Sequence, residues 1–132
     1  MSIRKASCMC GQLSVACEGE PFRVSVCHCL DCQRRSGSAF AAQARFEADK
    51  VMVAGEARVY TRLSDSGHTS DHHFCPQCGC EVWYVARPFR ESMAIPLGRF
   101  ADPAFPPPHY SVYESRSHGW VTIAGEGIEH HD

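Results

Sequence analysis

The sequence lacks any long hydrophobic run. No stretch of its 132 residues approaches the roughly 20 consecutive apolar residues that a membrane-spanning helix needs. The first residues, Met-Ser-Ile-Arg-Lys, lead into cysteines and polar residues rather than into an apolar signal segment. We therefore expect no membrane association and, by default, a cytoplasmic location.

A strong charge of either sign is also missing. The formal net charge is -2, whereas nucleic-acid binding usually shows as a basic surplus, so we expect no nucleic-acid partner. The sequence contains no Ser-His-Asp triad pattern, no dinucleotide fingerprint, no internal repeat and no long linker. Its length and ordinary composition predict a single domain over residues 1–132.

Helical periodicity is almost absent, and short alternating patterns dominate. Leu13, Val15 and Cys17 alternate with polar residues, as expected of a half-buried strand, and Val24 and Val26 do the same. Further short strands are predicted over residues 40–46, 51–53, 58–61, 81–86, 110–114 and 119–123. The helical candidate covers residues 31–36 and stops at a glycine, and residues 129–132 are predicted to be disordered. The fold class is therefore mainly β, with antiparallel sheets and at most a short helical turn.

Cysteine, by contrast, is abundant. Nine cysteines in a chain not marked for export favour metal binding or chemistry over disulfides. The odd count would also leave one thiol unpaired in any scheme made only of disulfides.

Two cysteine pairs, each followed by glycine, predict one structural zinc site. Cys8 and Cys10 are two apart, so on an extended segment both sulfurs point to the same side. Cys75 and Cys78 have the Cys-x-x-Cys spacing of a turn that closes around a metal ion. Together they supply four thiolates for a tetrahedral site whose binding energy contributes to folding. The alternative is that they are buried free cysteines.

A third cluster, Cys27, Cys29 and Cys32, places three thiolates within six residues. Three protein ligands and an open fourth position are typical of a catalytic zinc. Because three thiolates donate much charge, such an ion is a poor activator of water but remains suited to binding and deprotonating a fourth thiol. The pattern therefore predicts a small thiol as substrate. The alternative is a second structural zinc that Cys80, Cys17 or His28 completes.

The residues around these clusters allow several interpretations. Arg34 and Arg35 could bind substrate carboxylates, neutralise the zinc-thiolate centre, or form a solvated surface pair. Cys17 is expected to be a core residue, since it shares an apolar strand face. His72 and His73 are interpreted as a surface loop pair.

Taken together, the motifs resemble the glutathione-dependent formaldehyde-activating family, which includes the centromere protein V group. The resemblance is carried by Cys8-x-Cys10-Gly11, Cys27-His28-Cys29-x-x-Cys32 with Arg34-Arg35-Ser36-Gly37-Ser38, Phe74-Cys75-x-x-Cys78-Gly79, Pro107-Pro108-His109 and Arg116-x-x-x-Trp120. It covers nearly the whole chain, from about Cys8 to Gly125. Two positions depart from the family pattern: Cys80 stands where Ser or Thr is frequent, and His73 stands where Arg is common.

The resemblance implies a β-tent fold, in which a first zinc held by Cys8, Cys10, Cys75 and Cys78 clamps the sheets. It implies a second zinc on Cys27, Cys29 and Cys32, and condensation of formaldehyde with glutathione to S-(hydroxymethyl)glutathione, formally a carbon-sulfur lyase reaction in reverse. In that enzyme the three cysteines would be catalytic, and Arg34 or Arg35 would hold the substrate. The second hypothesis is a non-catalytic zinc-stabilised module that carries a thiol ligand or binds a protein partner.

Overall fold

The chain forms two β-sheets in the computed structural model, which describes residues 2–64, 67–87 and 91–132. The smaller sheet contains β1 (Ile3–Ser7), β2 (Ser14–Glu18) and β5 (Val51–Ala54), with β2 in the middle. The larger sheet contains β3 (Arg23–Cys27), β4 (Ala41–Glu47), β6 (Arg58–Leu63), β7 (Thr69–Phe74), β8 (Glu81–Ala86), β9 (Ser92–Pro96), β10 (Tyr110–Val112) and β11 (Glu129–His130). Its spatial order is β11-β10-β3-β4-β9-β8-β7-β6. The mainly β prediction is confirmed.

Most strand pairs are antiparallel, as expected, but β10 pairs in parallel with both β3 and β11. A parallel pair requires a long connection, and the proline-rich segment before β10 brings the chain back beside β3. The backbone N–H of His109 donates to the carbonyl of Val24 over 2.8 Å at the point where this pairing begins. The edge of the sheet beside β3 is therefore mixed rather than purely antiparallel.

The core lies between the two sheets and draws side chains from both. Leu13 and Val15 of the smaller-sheet region are fully buried with Phe46 and Ile95 of the larger sheet. Burial of one such side chain stabilises the fold by about 1.5–3 kcal/mol. Cys17 is 0% exposed in this cluster, so its predicted core position is confirmed.

The helix α1 (Leu30–Ser36) occupies the position of the predicted helical candidate and begins one residue earlier. It ends at Gly37, whose φ of 69° gives the left-handed cap that glycine adopts without strain. Short 3-10 turns cover Ala48–Lys50, Leu97–Phe100 and Glu114–Arg116. Over residues 2–64, 67–87 and 91–132, no helix has the length and apolar character to cross a membrane.

Three C-terminal predictions differ from the structure. Residues 119–123 form no strand, because the chain turns at 118–121, where the N–H of Val121 donates to the carbonyl of His118 over 3.0 Å. The strand predicted over 110–114 stops at Val112, since Tyr113 adopts a φ of 56° and the 3-10 turn follows. Residues 129–132 are not disordered as expected, since β11 pairs with β10.

Strands β1, β7 and β9 escaped sequence analysis because their alternation is weak or mixed with polar residues. The outcome for β7 matters most, since His72 and His73 lie on it and not on a surface loop. His72 is buried, and His73 stacks on Trp83 with ring centroids 4.4 Å apart. The histidine pair therefore belongs to the interior of the larger sheet.

The turn at Gly55 provides a test of how the smaller sheet meets the first cysteine segment. Gly55 has a φ of 99°, and a Cβ there would overlap the carbonyl oxygen of Gln12. We expect Gly55→Ala to lower the free energy of unfolding well beyond the about 1–2 kcal/mol that a left-handed backbone costs a non-glycine residue. Equilibrium urea unfolding measures it.

Gly19→Ala is the matched control, because Gly19 has a similar φ of 80° with open space around the added Cβ. An equal loss of stability in the two variants would contradict the proposed steric contact.

Candidate metal centres

The first candidate metal-binding group unites four cysteines from two segments of the chain that are far apart in sequence. The sulfur atoms of Cys8, Cys10, Cys75 and Cys78 all lie within 4.8 Å of one another. The Sγ–Sγ distances from Cys10 to Cys8 and to Cys75 are both 3.7 Å. Tetrahedral zinc with Zn–S bonds of about 2.3 Å requires sulfur atoms about 3.8 Å apart. The donor set and its spacing therefore fit zinc.

Amide hydrogens surround these sulfur atoms. The backbone N–H of Leu13 donates to Cys8 Sγ over 3.3 Å, and that of Gln77 donates to Cys75 Sγ over 3.4 Å. The Nε2 of Gln12 lies 3.1 Å from Cys75 Sγ. Such donors orient ligands and stabilise the thiolates that bind metal.

The charge state of Cys78 follows the same pattern. Backbone hydrogen bonds from Cys10 and Cys80 lower the pKa of the Cys78 thiol to about 5. A thiolate at neutral pH is the form that binds a metal ion. Cys10 differs: a backbone hydrogen bond from Gln12 lowers the pKa of its thiol, but burial and the neighbouring thiols outweigh it and raise that pKa to about 11, so the group is only partly deprotonated before a metal ion binds.

The position of this group ties the two sheets together. Cys8 and Cys10 lie in the turn between β1 and β2 of the smaller sheet, whereas Cys75 and Cys78 lie in the turn between β7 and β8 of the larger one. Gln12 reinforces the connection, because its Nε2 also donates to the carbonyl of Glu56 over 2.6 Å.

The second group lies where β3 ends and α1 begins. Cys27 closes β3, Cys29 caps the helix and Cys32 lies in its first turn, and their sulfur atoms are within 4.8 Å of one another. The backbone N–H of Cys32 donates to Cys29 Sγ over 3.3 Å. The strand end and the helix cap therefore bring together the three thiols predicted from spacing alone.

Within the described residues, no histidine, cysteine or carboxylate joins these three as a fourth ligand. His28 points elsewhere, with its Nε2 3.0 Å from the hydroxyl of Ser111. Cys17 lies in the core, and the partly buried Cys80 packs against that core. The three-cysteine arrangement remains open on the protein side, which disfavours a closed structural site.

Arg35 accompanies the second group, whereas Arg34 is exposed. The Nη2 of Arg35 lies 4.0 Å from Cys32 Sγ, and its guanidinium carbon lies 4.8 Å from the centre of the Tyr84 ring. The Nη1 forms a 2.5 Å ion pair with Glu81. Of the interpretations left open for the arginine pair, charge neutralisation at the cysteines therefore fits Arg35.

The three thiols of the second group have different pKa values. The hydrogen bond from Cys27, with the nearby charge of Arg35, lowers the pKa of Cys32 to about 5. The same bond and burial raise the pKa of Cys27, and burial raises that of Cys29. Cys32 is thus the thiolate of the cluster at neutral pH, before any metal binds.

Sequence reasoning missed two residues that hold Arg35. Glu81 lies directly after Cys80 and begins the apolar strand β8, and its second oxygen is 2.6 Å from His72 Nδ1. The Nε2 of His72 lies 2.8 Å from the hydroxyl of Ser70. A charged residue opening an otherwise apolar strand was the available signal for Glu81. His72 gave none, because its strand was not predicted.

A cavity of about 630 Å³ opens on the larger sheet. Arg23, Arg45 and Tyr84 contribute to its lining. Arg23 lies on β3 four residues before Cys27, hence on the same face of the sheet. Tyr84 connects the cavity to the cysteine group, because its ring contacts Arg35 and its hydroxyl lies 3.4 Å from Arg45 Nη2.

The C-terminal segment packs against α1 beside the second group. The Gln33 side chain donates to the carbonyl of Arg116 over 3.0 Å and is 2.9 Å from His118 Nε2. Trp120 contacts His118 edge-on and is 76% exposed. The predicted arginine and tryptophan of the ending therefore lie near the helix that carries Cys32.

Comparison with known proteins agrees with this geometry. Residues 3–116 match the family model described as glutathione-dependent formaldehyde-activating enzyme. The chain belongs to this family. All seven cysteines of the two groups fall inside the matched range. Membership supports glutathione-dependent formaldehyde activation in general, with glutathione as the substrate that the family description names.

Other comparisons add information about the fold. No curated protein matches the chain. A crystal structure of a Rhodobacter sphaeroides protein is similar with a TM-score of 0.55 and 22% identity, covering 72% of this chain and 85% of that one. At this identity the likeness concerns the fold.

Substituting a cysteine in one group or in the other is expected to have different effects on zinc content and on stability. We expect two zinc ions per chain, with one lost in Cys29→Ala while the fold and thermal midpoint are retained. Cys75→Ala should lower the midpoint strongly, because a structural zinc contributes its binding energy to folding. Metal analysis and thermal unfolding of gently purified, untagged protein measure both quantities.

Cys80→Ser is the matched control, since Cys80 lies outside both groups and serine replaces it with little change in size. Two zinc ions in Cys29→Ala would show that this cysteine is not a ligand.

Proposed function

We propose that the protein is a zinc-dependent enzyme of the carbon-sulfur lyase type that acts on a glutathione–aldehyde adduct, as S-(hydroxymethyl)glutathione synthase does. The observation that carries the proposal is the open group of Cys27, Cys29 and Cys32 with Arg35 beside it. We assign the four-cysteine group to a structural zinc and the three-cysteine group to a second zinc at the reaction site.

A zinc ion on the three cysteines would act as a Lewis acid that favours the deprotonated form of an incoming thiol. The protein residues contribute orientation and charge. Three thiolates around one zinc ion would make a centre of net negative charge, and the guanidinium of Arg35 at 4.0 Å from Cys32 Sγ would offset part of it, since Arg35 is also paired with Glu81. Without that cation, an additional anionic substrate would be repelled.

Arg35 is held in a fixed direction rather than free on the surface. Glu81 binds one edge of its guanidinium, and the Tyr84 ring lies against it. His72 fixes the other oxygen of Glu81. A positioned cation of this kind stabilises charge without reorganising during the reaction.

The reaction balances without an external oxidant or reductant. In the synthetic direction the sulfur of glutathione bonds to the carbon of formaldehyde, the carbonyl π bond breaks, and the thiol proton ends on the new hydroxyl. Burial raises the pKa of Tyr84, so its hydroxyl stays protonated near neutral pH and can donate a hydrogen bond. Tyr84 is therefore suited to hold a developing alkoxide or a substrate carboxylate, and not to act as a base.

The alternative is a non-catalytic module that carries a thiol ligand or binds a protein partner. One observation favours it: a site of three thiolates is chemically a weak Lewis acid and a good thiol receptor. Formaldehyde and glutathione also combine without a catalyst, so an enzyme must exceed an appreciable background rate. A carrier would show saturable glutathione binding and no rate enhancement.

Cys29→Ala distinguishes these functions. We expect it to abolish the enzyme-dependent exchange between glutathione and S-(hydroxymethyl)glutathione, because one of three ligands is removed. Exchange spectroscopy by NMR measures the rate above the uncatalysed background. Cys80→Ser should retain the wild-type rate, and undiminished exchange in Cys29→Ala would refute the mechanism.

The role of Arg35 is tested by its partner Glu81. Glu81→Gln keeps the shape of the side chain but removes the charge that fixes Arg35. A hydrogen bond to a charged group contributes about 1.5–3 kcal/mol, so we expect a loss in kcat/KM of about tenfold or more. Exchange rates at varied glutathione concentration separate KM from kcat.

Arg34→Gln is the comparison variant, because Arg34 is the exposed neighbour on the same helix. If Arg34→Gln lowers kcat/KM as much as Glu81→Gln does, the assignment to Arg35 of the positive charge beside the cysteines is wrong.

A further inference from the structure

Two arginines lie side by side on the larger sheet, and no carboxylate of the described residues pairs with either. Arg23 of β3 and Arg45 of β4 are directly opposite each other in the antiparallel register. Like charges at opposed positions destabilise a sheet. Neither arginine has an ion pair within the described part of the chain, although Arg4, Arg35, Arg62 and Arg87 all do.

Only neutral groups hold this arginine pair. The Nη1 of Arg45 lies 3.3 Å from the hydroxyl of Ser25, and its Nη2 lies 3.4 Å from that of Tyr84. The guanidinium carbon of Arg23 lies 4.1 Å from the centre of the Tyr110 ring. The Nε of Arg23 is buried and has no hydrogen-bond partner among the described residues. The two guanidinium groups are thus held in position, but no carboxylate of the described residues neutralises their charge.

Both arginines line the cavity of about 630 Å³, a size typical of small-molecule sites. Glu47 and Glu91 line the same cavity and are exposed. Two cations and two anions around one cavity match a zwitterion better than a simple anion. An α-amino-acid group, with one carboxylate and one ammonium, has this charge pattern.

A buried polar row, beneath the surface rather than in the cavity, runs from the arginine pair to the cysteine group. Going along β3 and β4, the opposed pair Arg23 and Arg45 is followed on the same face by Ser25 and Gln43, and then by Cys27 with Ala41. Gln43 is 3% exposed, donates its Nε2 to Ser25 over 3.0 Å, and leaves its Oε1 without a partner in the described residues. An unpaired buried acceptor is costly unless something donates to it.

The length of the row suits a short peptide. Four residues of strand separate Arg23 from Cys27, or about 13 Å at a rise of about 3.3 Å per residue. A fully extended tripeptide spans about 10 Å, and arginine side chains are long enough to make up the difference. A thiol at the cysteine group can therefore belong to a molecule whose far end lies between the arginines.

We propose that Arg23 and Arg45 form a carboxylate-binding subsite for the amino-acid end of a peptide thiol, with Glu47 and Glu91 placed to receive its ammonium. The placement of the thiol rests on the proposed function, whereas the charge recognition rests on the cavity alone. The subsite selects a glutathione-like peptide thiol over a simple thiol such as mercaptoethanol.

The test uses S-methylglutathione, which retains the charged ends of glutathione but has no free thiol. Isothermal titration of the full-length, zinc-loaded protein should show binding that Arg45→Gln weakens by about 10- to 100-fold, as expected for loss of a charge-assisted hydrogen bond. Arg23→Gln is the second variant, in case Arg45→Gln does not fold. Glu47→Gln should weaken S-methylglutathione but leave glutaric acid, which lacks an ammonium group, unchanged.

Arg58→Gln is the control, because Arg58 is exposed on β6 and does not line the cavity. The proposal is overturned if S-methylglutathione does not bind the wild-type protein, or if both arginine variants bind it with unchanged affinity. If the arginine variants weaken binding but Cys29→Ala leaves glutathione affinity unchanged, the subsite is supported while the proposed function fails. If glutathione binds and S-methylglutathione does not, the thiol site survives and the subsite is refuted.

Discussion

The convergence of four thiolates between the two sheets is the constraint on which the other features depend. Cys8 and Cys10 lie beside the smaller sheet and Cys75 and Cys78 beside the larger one, so one ion would tie together segments about half the chain apart. Closing a long loop in this way lowers the entropy of the unfolded chain. The hydrophobic core packs between the two sheets that the four-cysteine group joins.

The turn that carries Cys75 and Cys78 also helps to position the arginine beside the three-cysteine group. Glu81 lies three residues after Cys78, at the start of β8, and holds Arg35 against Cys32. The turn that carries Cys78 therefore leads directly into Glu81, whose carboxylate orients Arg35 beside the three-cysteine group. The four-cysteine group is closed and the three-cysteine group is open. The start of β8 nevertheless connects the two groups.

Alternation of side chains along the strands separates core residues from arginine and cysteine residues on the two faces of the larger sheet. On β3, Val24 faces the core between the sheets, whereas Arg23 and Cys27 share the opposite face. The face that is not needed for the core can carry unpaired charge and open ligands. This face carries a cost in stability, because two arginines oppose each other and a buried glutamine oxygen has no hydrogen-bond partner among the described residues.

Local patterns in the sequence were enough to predict the mainly β class, the short helix at Asp31–Ser36, the core position of Cys17 and the division of seven cysteines into two groups. These features depend on spacings of two to five residues, and such spacings determine which side chains share a face or a turn. The same local reasoning failed for residues 119–123 and for the His72–His73 pair, where tertiary contacts decide between strand and turn.

The sequence by itself therefore determined which cysteines are candidate metal ligands, because ligands that lie close together in the chain are recognised by their spacing. Only the tertiary structure decided which arginine serves the open site, since Glu81 is 46 residues from Arg35. It alone placed Arg23 opposite Arg45, 22 residues later in the chain, and beside the cavity. Contacts between distant segments depend on strand pairing and register, which no local pattern encodes.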